Sequence, residues 1–352
     1  MARTADDIEL LHMSKSNKII EGATRTKREN ALAILAGEQP DYYFDFMDSL
    51  EFAPDPIFLQ DVIQPDGQKY LDSWGTEFVW PVGAPGQHPT ADPAALVIKD
   101  IEEWESGLTV PTLEDLDWSI AQAAAAAVDR NASFLACFSA GGLFERSHHL
   151  MSFEEALVNY LLYPDEMAAI LRIIADFKLD YIQAVAREFK PDVIFYQDDW
   201  GSKTNVFLPP EIWRRLIKPL TKEIVDAAHE AEMLFVLHCD CFAQPLVEDM
   251  VEMGVDIWQG VIPQNDIVTI QEITEGKLPM IGGVDGPKID IENITEEAIR
   301  AEVRRAFDEY CPAGRFFPGI ANGKCFREWN DSIFRDEMAL YGRQWALEHP
   351  VV

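Results

Sequence analysis

The sequence predicts an α/β fold: a (β/α)8 (TIM) barrel with an N-terminal helical extension and an inserted β-hairpin. Three observations predict it. From about residue 112, apolar strand-like runs alternate with amphipathic helical stretches in six or seven successive units with short connections, the pattern of parallel strands joined by right-handed crossovers. The alternation extends over roughly 250 residues, the length a closed barrel needs. No G-x-G-x-x-G follows the first strand, which weighs against an open doubly wound nucleotide-binding sheet. Residues 1–352 read as one domain, with about 57–95 as the insertion.

Residues 1–40 are polar and helical in pattern. Within them Thr26–Leu35 sets Ala31, Ile34 and Leu35 on one face, and Gly37 supplies the stop. Tyr42–Met47 (YYFDFM) has the aromatic content of a short strand. Ile63–Gly67 (IQPDG) is a turn signal flanked by aromatic and β-branched runs, so residues 57–80 read as the hairpin, ending at Phe78–Trp80. The Pro- and Gly-rich stretch 81–95 reads as loop.

A helix is expected at Leu116–Val128 and a strand at Phe134–Phe138, broken by Gly141 and Gly142. A capping box from Ser152 to Glu155 opens the next helix, and Pro164–Phe189 carries a long helical period. Asp192–Tyr196 is a continuous apolar strand, the kind covered on both faces. Pro210–Ala231 is helical, with a kink expected at Pro219. The remaining units pair strand Leu234–Leu237 with helix Gln244–Met253, and Gly254–Trp258 with Val268–Glu275. Pro279–Gly283 pairs with Ile294–Tyr310, and Arg315–Pro318 with Asn330–Glu348.

Lys and Arg number 29 against 61 Asp and Glu, a formal net charge of −32. Nucleic acid and anionic lipid are both met by cations, so neither is an expected partner. No apolar run approaches the ~20 residues of a membrane span, and Met1–Leu10 lacks the apolar core of a signal peptide. Five cysteines (Cys137, Cys239, Cys241, Cys311 and Cys325) in a chain with no visible signal are expected as reduced thiols in the cytoplasm.

Barrel chemistry collects at the C-terminal ends of strands. DVIFY runs into Gln197, Asp198, Asp199 and Trp200; LFVL into His238 and Asp240; VDIW into Gln259; PMIGGV into Asp285. Adjacent strand residues point oppositely, so one of Asp198 and Asp199 is expected to face the barrel mouth and the other to cap a helix or bond loop amides. The same alternation sets His238 and Asp240 on one face, able to bind a metal or to form a proton-transfer pair, and Cys239 and Cys241 on the other. Cys325 is a further candidate metal ligand. Trp74, on the inserted hairpin, is expected to cover the mouth. The candidate catalytic residues are thus His238, Asp198 and Asp199, and the substrate-facing ones Trp200, Gln259, Trp74 and Asp285. His148 and His149 read as surface residues flanking a helix; Trp213, Trp329 and Trp345 read as core.

Several segments together resemble the uroporphyrinogen decarboxylase superfamily, and within it the cobalamin-dependent methyltransferases. Thr26–Asp41 is similar to the opening helix and its G-x-x-P-D turn, Asp72–Gly75 (DSWG) to the D-x-W-G element, and Asp198–Ser202 (DDWGS) with Pro210-Glu211 to a strand end and helix entry. Asp226–His238, Glu252–Asp256 and Gly282–Asp285 resemble the later units. The likeness covers nearly the whole chain and implies a barrel. The tetrapyrrole decarboxylase carries an Arg-rich segment where this chain has Phe44–Asp48, and thiol-methylating members carry H-x-C and a later Cys where this chain has Asp240 and Ile320. The resemblance therefore implies an O-demethylase component that moves a methyl group from a methoxylated aromatic to the Co(I) of a corrinoid on a partner protein, with zinc as the candidate metal at His238, Asp240 and Cys325. A decarboxylase, or a methylcobamide:thiol or tetrahydrofolate methyltransferase, is the alternative.

Overall fold

The computed structural model of the chain describes residues 20–84, 86–90 and 92–351. The first part of the expected N-terminal extension lies outside them. Within the described part, Lys27–Ala36 is helical because Thr26 and Glu29 cap each other reciprocally, and Gly37 stops it at φ 73°.

Ten strands follow among the described residues: β1 (Leu50–Phe52), β2 (Lys69–Leu71), β3 (Glu77–Val79), β4 (His88–Pro89), β5 (Phe134–Ser139), β6 (Val193–Gln197), β7 (Leu234–His238), β8 (Ile257–Val261), β9 (Met280–Val284) and β10 (Phe316–Ile320). Seven form one parallel sheet in the order β1-β5-β6-β7-β8-β9-β10, with helices as crossovers. Its inner strands are buried on both faces, as continuous apolar runs require.

The sheet departs from a closed eight-stranded barrel, because among the described residues β1 and β10 do not pair. Between them runs the stretch Tyr42–Met47, expected as a strand. Its backbone bonds go elsewhere: the Tyr43 N–H to the Gly342 carbonyl (3.2 Å), the Tyr42 carbonyl to the Asn30 carboxamide, and the Met47 N–H to the Asp45 carboxylate (3.0 Å). Asp45 thereby turns the chain into the short 3₁₀ helix Phe46–Ser49. The stretch still fills the gap, since Phe46 lies 5.1 Å from Phe317 of β10 and 5.6 Å from Phe134 of β5, ring centre to ring centre.

Asp45 is fully enclosed there. Burial, helped by Asp48, raises its pKa to about 7 from an ordinary 3.8. The folded state therefore holds a proton that the unfolded chain loses, and this group's contribution falls as pH rises from about 4 to about 7. Asp45→Asn is expected to flatten that part of the stability–pH curve in urea titrations.

The inserted hairpin is present with a different turn. Pro56–Asp61 is a helix, capped by Asp55, and not a strand. β2 and β3 pair antiparallel across Asp72–Thr76, with β4 added at the edge within the stretch expected as loop. The Asp72 carboxylate accepts the Trp74 and Thr76 N–H groups (2.9 and 2.8 Å), so DSWG makes the turn and IQPDG does not. No helix among the described residues is long and apolar enough to cross a membrane. All five cysteines are unpaired and buried.

Candidate active site

Strand register sets the site. Gln197 of β6, His238 of β7 and Gln259 of β8 are neighbours in the parallel ladder, at the ends where chemistry is expected. The Asp198 N–H extends the ladder to the His238 carbonyl (3.0 Å), and alternation then separates the two aspartates.

Asp198 turns into the N-terminus of the helix Leu143–Met151. Its carboxylate accepts the Phe144 N–H (3.2 Å), the Glu145 N–H (2.9 Å) and the Trp200 indole N–H (2.8 Å). Gly142 permits this approach, because a Cβ there would fall on the Asp198 side chain. Burial raises Asp198 to about 6 against the pull of these bonds. Of the two candidate aspartates, Asp198 is thus the one that anchors a helix end. Trp200 is buried with it, packed on Trp213 (4.7 Å).

Asp199 turns the other way. Its Oδ1 accepts the Asp240 N–H (2.7 Å), and one ligand-type atom from each of Asp199, His238 and Asp240 lies within 4.8 Å of the other two. Gly260, at φ 95°, lets the Asp240 backbone come close: a Cβ there would sit 3.1 Å from the Asp240 Cα. Lys203 pairs with Asp240 at 3.1 Å. Burial raises the Asp199 carboxyl, with Asp240 adding and His238 opposing.

Gln259 uses both ends of its amide. Nε2 donates to the Ala321 carbonyl (2.8 Å), which can only accept, so Oε1 faces His238. The imidazole Nδ1–H must then be the donor in the His238–Gln259 bond, leaving Nε2 as the basic nitrogen. Gln259, expected to touch substrate, orients His238 instead. Gln259→Leu is expected to weaken divalent-metal binding by about 10–100-fold, read by titration with Co(II) absorbance.

The other expected residues scatter. Trp74 packs edge-on to Phe177 (5.1 Å) under the Arg146 guanidinium, buried behind the inserted sheet. Asp285 caps the short helix Gly286–Ile289 through the Lys288 N–H (3.2 Å). Cys325 is buried outside the cluster, and burial pushes its thiol up to about 12, a poor state for a metal ligand. His148 and His149, expected at the surface, lie inside the helix Leu143–Met151 with their pKa values lowered by burial. Trp213 and Trp345 are core, but Trp329 is 51% exposed.

Two cavities flank the row. One, of about 390 Å³, lies between the strand ends and the inserted sheet; Phe52, Phe138 and Phe195 line it from β1, β5 and β6, and Phe78 from β3. Phe138 stacks on Phe195 (5.5 Å), which lies 5.8 Å from the His238 ring. The second, of about 310 Å³, is lined by Asp240, Lys203, Asp285, Ile320 and Lys324.

Sequence reasoning missed Glu145. It lines the first cavity beside Gln197, whose amide donates to it at 3.5 Å. Burial, with Asp199 and Asp198 adding, raises its pKa well above an ordinary glutamate, so the fold favours its protonated form. Its position just after the Gly141-Gly142 break, another strand end, was the available signal.

The comparisons with known proteins agree with this architecture. A methyltransferase from Methanosarcina mazei superposes with a TM-score of 0.63 at 16% identity, covering 91% of this chain and 99% of that one; at such identity the likeness shows the fold. A 3-keto-D-glucoside 4-epimerase from E. coli reaches a TM-score of 0.33 at 14% identity, over 64% of this chain and 83% of that one, too low to carry an argument. No curated protein matches the sequence significantly. The family model Uroporphyrinogen decarboxylase (URO-D) matches residues 86–318, from the inserted sheet through β9 and into β10. With about two-thirds of its length matched, the chain belongs to the URO-D family.

Proposed function

We propose that this protein is a corrinoid-dependent methyltransferase that takes a methyl group from a methoxylated aromatic, or another small methyl donor, to the Co(I) of a corrinoid on a partner protein. One observation carries the reading: a ring-lined cavity and the Asp199–His238–Asp240 cluster meet at a single row of strand ends, with Glu145 lining the cavity. The Methanosarcina protein of this fold being a methyltransferase supports the class.

In O-demethylation the methyl–oxygen bond breaks, and the departing phenolate needs a proton. Glu145, whose protonated form burial favours, supplies it from the cavity wall, a general-acid role. The phenylalanine rings hold the aromatic and keep water from the reacting carbon. The nucleophile belongs to the partner's corrinoid, so no activated Ser or Cys is needed here.

We assign zinc to Asp199, His238 and Asp240, in place of the set with Cys325. One imidazole nitrogen and two carboxylate oxygens are a donor set a divalent ion accepts, and two acids pressed together with one Lys leave charge for it to balance. When bound, zinc supplies a Lewis acid that polarises an ether oxygen. The five free thiols suit the cytoplasm as the site of the reaction.

The test is a panel of methoxyarenes incubated with the protein and a reduced corrinoid protein. Phenol and methylated corrinoid should form together, and neither without the corrinoid protein. Release of CO2 from a porphyrinogen without any corrinoid would establish the decarboxylase instead.

A further inference from the structure

We propose that the aromatic cavity ends in an anion subsite at Lys178 and Ser139, so that its ligand is an aromatic carboxylate, such as a methoxybenzoate, in preference to a neutral ether. Naming that ligand a methyl donor rests on the function proposed above; the subsite does not.

Lys178 belongs to the helix Pro164–Glu188 and points inward, with the residue 5% exposed. Its Nζ donates to the Ser139 Oγ (3.0 Å) and to the Ala140 carbonyl (2.7 Å), and it lies 5.6 Å from the Tyr196 ring centre. All of these are neutral. An ammonium carries three N–H donors, and a buried one is ordinarily matched by an anion. Among the described residues no carboxylate bonds to it. Asp61, Asp198 and Glu145 lie near enough to act on its charge but are bonded elsewhere: Asp61 accepts two bonds from Ser73 (2.7 and 3.1 Å), Asp198 caps its helix, and Glu145 accepts from Gln197. Ser139, accepting from Lys178, keeps its own hydroxyl proton to donate.

The space is there. A side cavity of about 50 Å³ is lined by Lys178, Ser139, Ala140 and Tyr181, and it shares the walls Phe58, Asp61 and Phe138 with the aromatic cavity. That is room for a few non-hydrogen atoms, since one water needs roughly 10–15 Å³. A ring lying against Phe138 would direct a carboxylate toward Lys178 and an opposite substituent toward Gln197 and Glu145. Burial, with Arg146 nearby, lowers Lys178 to about 8, the direction an arriving anion reverses.

Calorimetric titration of the protein alone, with benzoate and with its neutral shape-mate benzamide, reads the subsite without methoxy group or corrinoid. Benzoate should bind about tenfold tighter or better, as charge-assisted bonds require. Lys178→Met should abolish the preference, and Ser139→Ala, which keeps the ammonium, should reduce it. Circular dichroism checks folding, and if Lys178→Met does not fold, wild type and Ser139→Ala decide. Equal affinity for the two ligands in wild type, a preference that survives Lys178→Met, or one untouched by Ser139→Ala overturns the proposal and leaves Lys178 as a tie for the β5 turn. Methyl transfer from methoxybenzene as efficient as from methoxybenzoate would sink the subsite and keep the function. Preferential benzoate binding with no transfer from any donor would do the reverse.

Discussion

Glu145→Gln should lower the rate of phenol release by about two to four orders of magnitude, the span of general-acid catalysis, with the loss in kcat and little in KM. Gln keeps the shape of Glu145 and its contact with Gln197 but has no acidic proton to give. The pH dependence has a fixed sign. The neutral acid is the working form, and burial with two acidic neighbours raises its pKa. Activity should therefore extend above the pH near 4 at which an ordinary glutamate would have lost it, and fall as pH rises through the raised value. The Gln variant should lack that alkaline fall. A kcat unchanged by Glu145→Gln would remove Glu145 from the chemistry.

Arg146→Met should cost about 3–5 kcal/mol of stability, the range for removing one partner of a buried ion pair. Arg146 and Asp72 are both enclosed and bonded to one another, and the guanidinium lies 5.4 Å from the Trp74 ring centre. Asp72 also holds the DSWG turn through two backbone N–H groups, so an uncompensated charge there loosens the sheet that carries Phe78 over the cavity. Urea denaturation measures the cost. Arg146→Met combined with Asp72→Asn should cost less than the sum of the two single changes, because the stranded charge is gone. A loss under about 1 kcal/mol for Arg146→Met would show that the pair is replaceable.

The alternation of strands and helices was legible because buried parallel strands leave continuous apolar runs, and DVIFY, LFVL and VDIW fall within three residues of β6, β7 and β8. Tyr42–Met47 misled because strand composition reports burial, not hydrogen-bond partners; Asn30 and Gly342, distant in sequence, claimed its backbone. The site was half legible. Period-2 alternation separated Asp198 from Asp199 and joined His238 to Asp240, but it could not say which aspartate faced inward. That depended on Gly142 admitting Asp198 to a helix end. Lys178 was illegible as a functional group, since it sits on a helix among ordinary charges and burial alone distinguishes it; Glu145 offered only its place after the Gly141-Gly142 break.

The central claim is tested most directly by a single-turnover reaction with an isotope-labelled methoxy group, the reduced corrinoid protein and this chain. The label should appear on cobalt in step with the phenol, in equal amounts, and both should vanish with His238→Ala while the aromatic still binds. Label that stays in the ether, or phenol that forms at full rate with His238→Ala, would contradict it.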